Sequence, residues 1–100
     1  MMYATSSRFE TPNGSRYLQQ LCKHFGHKIP ATFDETSGRL DFAFGPVTMG
    51  ADEGGLDLVV HAEDEEGIDR GRQVMESHLK RFAFREDMGA LDWSPATETA

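Results

Sequence analysis

Apolar positions recur at helical spacing in two segments of the chain and alternate with polar positions in the segment between them. In the first helical segment, Thr11 and Pro12 precede an apolar stripe that ends at Gly26 and consists of Tyr17, Leu18, Leu21, Cys22 and Phe25. A threonine hydroxyl can cap a helix, and proline at the first helical position loses no donor that the helix needs. The pattern therefore predicts a helix that opens at Thr11 and Pro12 and ends at Gly26.

The second helical segment covers about 64–84, and its charges follow the order that a helix dipole favours. Acidic residues occupy 63–66 near its positive end, and basic residues cluster toward its negative end, at Lys80, Arg81 and Arg85. Its apolar stripe consists of Ile68, Met75, Leu79 and Phe82. Gly67 and Gly71 are expected to weaken its first turns. These features predict one amphipathic helix.

From Ile29 to Ala62 the apolar period is two, which predicts four antiparallel strands in a meander. The turns are expected at 35–38, 45–46 and 53–54. The resulting register places apolar residues opposite one another, namely Phe33 and Leu40, Phe44 and Val47, and Ala51 and Leu56. One face of the meander is therefore predicted to face the core.

Two further segments complete the predicted fold. Tyr3–Glu10 alternates loosely and indicates a first strand, and Leu91 and Trp93 indicate a short C-terminal strand or hook. The prediction is an α+β fold in the order β-α-β-β-β-β-α, with a four- to five-stranded antiparallel meander sheet and two helices packed on one face. We expect a single domain over residues 1–94 and a disordered tail over 95–100.

Charge and composition narrow the function classes. The chain has 17 acidic and 10 basic residues and a net charge of −7, which argues against nucleic-acid binding. Its N-terminus lacks the apolar run of a secretion signal, and its one cysteine cannot form an internal disulfide. No window of the sequence approaches the roughly 18 apolar residues that a membrane span needs. We therefore expect a cytoplasmic protein without a membrane partner, and the sequence requires no cofactor.

The segment Leu21–Lys28 holds the only cysteine and two of the four histidines, and a second segment, Ser77–Glu86, adds a third. Thiolate and imidazole bind zinc and iron. The candidate ligand-binding residues are Cys22, His24, His27 and His78, and the three histidines are also the metal candidates. Cys22 and His24 point about 160° apart on an intact helix and cannot reach one ion. His24 and His78 can meet if both helices cover the same sheet face, and the alternative is that they only pack at a helix seam.

Cys22 and the carboxylates of the sheet each have two possible interpretations, one functional and one structural. Cys22 is either a catalytic thiol, with His27 as the remaining partner, or a small buried hydrophobe. On the outward face of the sheet, Asp41 and Asp57 are expected to flank Gly50 and could bind a cation or act as an acid and base pair. The alternative there is a solvated face on which Asp34 pairs with Arg39.

The basic cluster of Lys80, Arg81 and Arg85 lies beside Phe82 and Phe84. It is either an anion or partner patch or a consequence of dipole complementarity and core packing. His61 is expected on the outward face of the sheet, in solvent.

The run NGSRYLQQLCKHFGHKIPATFDETSGRLDFAFG, followed by VMESHLKRFAFRE and Trp93, closely resembles the bacterial family called domain of unknown function 2218. The resemblance covers about Ala4 to Trp93, and the family has no assigned activity. It implies an association with iron and siderophore uptake and with siderophore-interacting flavin reductases as partners. It also directs attention to Cys22, His24, His27 and His78.

Three functions from different classes follow. The leading hypothesis is an accessory or binding module of iron or siderophore metabolism, in which the histidines recognise a ligand, a metal or a reductase. The second is a protein interaction module without a small ligand. The third, an enzyme that uses His or Asp as acid and base, is the weakest, because these residues converge on no pocket that spacing can define.

Overall fold

The segments with period two form strands and the two segments with helical spacing form helices, so the predicted α+β class is confirmed. The computed structural model describes residues 2–86 and 88–99 and contains two helices and a six-stranded antiparallel open sheet. The elements are β1 Met2–Glu10, α1 Gly14–Phe25, β2 Ala31–Phe33, β3 Ser37–Phe42, β4 Gly45–Asp52, β5 Gly55–Ala62, α2 Glu65–Phe82 and β6 Thr97–Thr99. Their order in the sheet is β2-β3-β4-β5-β1-β6. Residues 1, 87 and 100 of the predicted domain and tail lie outside the described residues.

The meander has the predicted faces, but two of its three turns differ from the prediction. Ala51 lies opposite Leu56 as predicted. Between β3 and β4 the turn is formed by Ala43 and Phe44, so Val47 lies opposite Leu40 and not opposite Phe44. Gly45, with a φ of +144°, follows this turn and passes so close to β5 that a Cβ there would lie 2.9 Å from the carbonyl carbon of His61.

The β2–β3 turn also closes earlier than predicted, and Leu40 lies opposite Ala31 while Phe33 lies opposite Gly38. The Asp34 carboxylate accepts hydrogen bonds from the backbone N–H groups of Thr36 and Ser37, both at 2.8 Å, which tightens the turn. Both register differences amount to an even number of residues, so each strand keeps its apolar side toward the helices.

The C-terminal segment adds the sixth strand where the sequence predicts a disordered tail. Thr97–Thr99 pairs with Met2–Ala4 at the edge of β1, and β1 pairs with β5 on its other side. The attachment depends on the backbone and on threonine hydroxyls, since Thr99 Oγ1 donates to the carbonyl oxygen of Met2 at 3.2 Å. Hydrophobic periodicity does not report such contacts, so the predicted count of four to five strands was too low.

The helices begin and end close to the predicted positions. α1 starts at Gly14 after Asn13, not at Thr11, because Thr11 Oγ1 accepts from the backbone N–H of Asn13 at 3.1 Å and lies before the helix. In α2, the Asp64 carboxylate caps the helix by accepting from the backbone N–H of Gly67 at 2.8 Å. Within residues 2–86 and 88–99, neither helix combines the length and hydropathy needed to cross a membrane.

Both helices pack on the same face of the sheet and enclose one hydrophobic core. The largest fully buried side chains are Leu18, Leu21, Leu40, Leu56, Leu58, Ile68, Met75 and Leu79. Gly71 lets α2 approach β5 closely: a Cβ there would overlap Val60 Cγ1 and lie 3.0 Å from Phe44 Cε1. The glycine expected to weaken α2 is therefore a contact point of the core.

Candidate functional site

The C-terminal parts of α1 and α2 meet at a group of four rings, His24, Phe25, His78 and Phe82, which we call the helix seam. The His24 and His78 ring centroids are 5.2 Å apart, and the Phe25 and His78 centroids are 4.7 Å apart. Phe82 contacts His24 edge to face at 5.5 Å. The sequence places His78 and Phe82 four residues apart on α2, so both rings face α1. The predicted meeting of His24 and His78 is thus present in the structure.

The seam is joined to the sheet through further aromatic contacts. Phe25 packs edge to face on Phe42 at 5.0 Å, and Phe42 stacks on Phe44 at 4.9 Å. Edge-to-face and stacked arrangements are favourable beyond their burial. The rings of the seam therefore rest on a continuous aromatic layer rather than on mobile side chains.

The two seam histidines differ in environment. His78 Nδ1 lies 2.8 Å from the carbonyl oxygen of Val74, and since a carbonyl only accepts, Nδ1 carries the proton and donates. The His78 Nε2 atom is then the unprotonated acceptor of the neutral ring. Partial desolvation lowers the pKa of His24, and the positive charges of Arg81 and of the protonated form of His78 lower it further.

The other two predicted site residues occupy different surroundings. His27 lies beyond the end of α1, is exposed, and is near enough for its charge to lower the pKa of His24. Cys22 is 1% exposed and faces β3, where a Cβ on Gly38 would lie 3.0 Å from its Sγ atom. Burial raises the pKa of the Cys22 thiol to about 11, so the thiol is protonated at neutral pH.

Metal ligands do not gather into a complete cage in the part of the chain that the structure describes. Residues 2–86 and 88–99 contain no group of three or more His, Cys, Asp or Glu side chains that could hold an ion. The structure brings together His24 and His78, leaves His27 at the margin of the seam, and directs Cys22 into the core.

The surroundings of the seam are positively charged although the chain is acidic overall. Residues 11–33 contain no acidic side chain and include Lys23 and Lys28, and residues 77–85 contain none and include Arg81 and Arg85. Lys28 and Arg81 are near enough to His24 for their positive charges to lower its pKa. Lys80 belongs to a different face of α2, where it pairs with Glu76 at 3.6 Å.

The predicted carboxylate pair on the outward sheet face is not formed. Asp57 and Ser37 are the neighbours of Gly50 across the sheet, and Asp41 lies opposite Pro46, because the β3–β4 register differs from the predicted one. The acid and base hypothesis that depended on Asp41 and Asp57 therefore loses its geometric basis.

Arg8 and Arg39 hold the carboxylates of this face. Arg8 Nη1 lies 2.9 Å from Asp57 and Arg8 Nη2 lies 2.8 Å from Asp52, which holds the pKa of Asp52 down to about 2. Arg39 pairs with Asp41 at 3.0 Å, and not with Asp34 as expected. The sequence did not indicate Arg8 as a partner because the position of β1 in the sheet was not predictable.

Glu86 is a polar anchor that the sequence did not indicate. Its carboxylate accepts hydrogen bonds from the hydroxyl of Thr11 at 2.7 Å, from the Asn13 amide at 3.2 Å and from the hydroxyl of Tyr17. All three donors lie around the start of α1, and no periodicity or motif marks a carboxylate beyond the end of α2 as their partner.

Comparison with known proteins identifies a family and a structural neighbour of this chain. Residues 6–94 match DUF2218, described as an uncharacterized protein conserved in bacteria. The fold is similar to the NMR structure of PA4090 from Pseudomonas aeruginosa, with a TM-score of 0.79 and 28% sequence identity over 98% of this chain and 100% of that chain. No curated protein matches the chain. The chain belongs to the DUF2218 family of uncharacterised bacterial proteins.

Proposed function

We propose that this domain is a binding module of iron or siderophore metabolism and that the helix seam is its recognition surface. One observation carries the proposal: the imidazoles of His24 and His78 meet beside an aromatic ring and within reach of two cations, on a chain whose net charge is −7. Positive charge concentrated on one part of an acidic protein attracts anions to that part. The link to iron is the one that the family resemblance implies.

The chemistry of the seam favours an anionic ligand with aromatic character. The guanidinium of Arg81 and the ammonium of Lys28 can form charge-assisted hydrogen bonds to oxygen anions. The ring of Phe82 offers apolar surface to a flat ligand. Metal complexes of catecholate siderophores combine negatively charged oxygen atoms with aromatic rings, so they match both features of this surface.

Isothermal titration with gallium(III) tris-catecholate, a diamagnetic stand-in for the iron(III) complex, tests the proposal. We expect saturable binding to the unmodified chain and at least tenfold weaker binding to the Arg81→Gln and His24→Ala variants. His61→Ala, on the outward sheet face, is the matched control and should bind as the unmodified chain does. Absence of saturable binding at millimolar complex, or equal binding by all variants, would overturn the proposal.

A second candidate function is a protein interaction module, which one exposed side chain favours. Phe84, just beyond α2, is 73% exposed, and the guanidinium carbon of Arg85 lies 5.5 Å from its ring centroid. Aromatic and arginine side chains are enriched at protein interfaces. A siderophore-interacting flavin reductase is the partner that the resemblance implies.

Sedimentation velocity across a concentration series, alone and with such a reductase, tests this candidate. A complex that Phe84→Ala weakens and Phe33→Ala leaves unchanged would support it, because Phe33 is exposed at the far edge of the sheet on β2. A strict monomer in every mixture would contradict it.

A further inference from the structure

We infer that His24 and His78 form a two-imidazole site for a divalent transition-metal ion, with Zn²⁺ as the representative ion. The two protein nitrogens leave the other coordination positions open to oxygen atoms of an incoming ligand. The inference rests on the proposed function, since it names how the helix seam would hold a ligand, namely through a metal ion shared between the protein and that ligand.

The separation of the two rings fits a shared ion. In tetrahedral zinc sites the Zn–N distance is about 2.0–2.1 Å, so two imidazoles on one ion have ring centroids about 5 Å apart. The His24 and His78 centroids are 5.2 Å apart, with the ring planes inclined at 46°. The backbones of α1 and α2 therefore already hold the two rings at the spacing that one ion requires.

The hydrogen bond of His78 prepares its ring for coordination. Histidines that bind metals usually donate their other ring N–H to a carboxylate or a backbone carbonyl, which sets the tautomer and the ring direction. His78 makes this bond from Nδ1 to the carbonyl oxygen of Val74, at 2.8 Å. Its Nε2 atom is left with a free lone pair, which is the form that binds a metal.

The neighbouring rings restrict the movement of both imidazoles. Phe25 contacts His24 edge to face at 5.0 Å and His78 at 4.7 Å, and Phe82 contacts His24 from the α2 side. A site whose ligands are held in place loses less conformational entropy when an ion binds. His24 is also exposed, so the ion has access from solvent.

The two histidines would leave coordination positions of the ion free, which is not the arrangement of a structural metal site. In residues 2–86 and 88–99 no third His, Cys, Asp or Glu side chain completes a metal-binding group with these two histidines. Structural zinc sites use four protein ligands, whereas sites that accept outside ligands keep positions free. The cations Lys28 and Arg81 nearby suit an incoming anion and weaken the binding of the bare ion.

Titration with ZnCl₂ alone, followed by NMR of histidine-labelled protein, tests the site. We expect saturable shifts of His24 and His78 at a stoichiometry of one ion per chain. His24→Ala and His78→Asn should each weaken zinc binding at least tenfold, and His61→Ala should not change it. Asparagine at position 78 retains an N–H donor for Val74 while it removes the Nε2 ligand, so the fold is retained and only the metal ligand is lost.

A second readout counts the coordinating nitrogens. With Cu²⁺ as the probe, electron paramagnetic resonance should show two imidazole nitrogens in the unmodified chain and one in each single variant. Zinc binding of unchanged affinity in either single variant, or a copper spectrum with one nitrogen in the unmodified chain, would overturn the two-imidazole site.

The outcomes separate this inference from the proposed function. If Zn²⁺ does not bind while gallium(III) tris-catecholate still binds in an Arg81-dependent way, the metal site is wrong and the binding module stands. If Zn²⁺ binds through both histidines and the catecholate complex does not bind, the metal site stands and the proposed ligand is wrong.

Discussion

The hydroxyl of Tyr17 donates a hydrogen bond to the carboxylate of Glu86, and this contact fastens the chain beyond α2 to the first turn of α1. Thr11 and Asn13 donate to the same carboxylate, so one side chain satisfies three donors around the start of α1. The helix seam lies at the other end of α1 and in the last turns of α2. Glu86 therefore helps to set how α1 and α2 lie against each other.

Replacement of Glu86 by glutamine should lower the free energy of unfolding by about 1–3 kcal/mol, because an amide cannot accept from all three donors and leaves a buried group unsatisfied. Urea unfolding measures this difference. Glu53→Gln, at an exposed position in the β4–β5 turn, is the matched control and should change the stability little. Equal effects of the two substitutions would show that Glu86 is not an anchor.

The contribution of Glu86 should also depend on pH. Burial raises the pKa of Glu86, but the hydrogen bonds from Tyr17, Thr11 and Asn13 outweigh burial and hold the pKa below its ordinary value. A pKa that is lower in the folded state means that the stabilisation is complete above the ordinary glutamate pKa of about 4.3 and is lost as the pH falls through the folded value.

Urea unfolding of the unmodified chain and of Glu86→Gln at a series of pH values measures this dependence. The difference in free energy of unfolding should be constant at neutral pH and should shrink below about pH 4. A difference that stays constant into the acid range would contradict the assignment of a low pKa to Glu86.

Gly71→Ala should destabilise the protein although alanine favours helices by about 1 kcal/mol over glycine. The added Cβ would overlap Val60 and push α2 from the sheet, and overpacking of this kind costs about 1–3 kcal/mol. Thermal unfolding compared with that of Gly89→Ala, where a Cβ would meet nothing within 4 Å, measures the effect. An increase in stability for Gly71→Ala would show that α2 is not packed as described.

Arg72 should hold the C-terminal strand in place. Its Nη2 atom donates to Thr5 Oγ1 at 3.1 Å and to the carbonyl oxygen of Ser94 at 2.9 Å, which connects α2, β1 and the segment before β6. Arg72→Ala should therefore increase amide hydrogen exchange at 97–99 while exchange in β5 stays unchanged. Arg70→Ala, two residues earlier and on the exposed side of α2, should have no such effect. Unaltered exchange at 97–99 in Arg72→Ala would contradict this role.

The sequence was sufficient to predict the class of fold and the side of each helix and strand that faces the core. Alternation placed Leu40 and Val47 toward the helices, and this remained correct although the turn moved from Gly45 and Pro46 to Ala43 and Phe44. A two-residue period determines the side on which a residue lies, but not its partner on the next strand. The strand at 97–99 was missed because backbone pairing with β1, and not apolar content, holds it.

For the candidate site, helical spacing predicted that His24 and His78 can meet, and the angle between Cys22 and His24 separated the thiol from the seam. The contacts of Glu86, Arg8 and Arg72 were not predictable. Each joins elements far apart in the sequence, and such contacts follow from the packing of the whole fold rather than from any local pattern.

The measurement that tests the recognition role of the helix seam most directly is an imidazole NMR titration of histidine-labelled protein with gallium(III) tris-catecholate, in which all four histidines are observed at once. A recognition role predicts saturable shifts at His24 and His78, a smaller shift at His27, and no change at His61. Unshifted seam histidines at millimolar complex, or a shift at His61 as large as theirs, would contradict it.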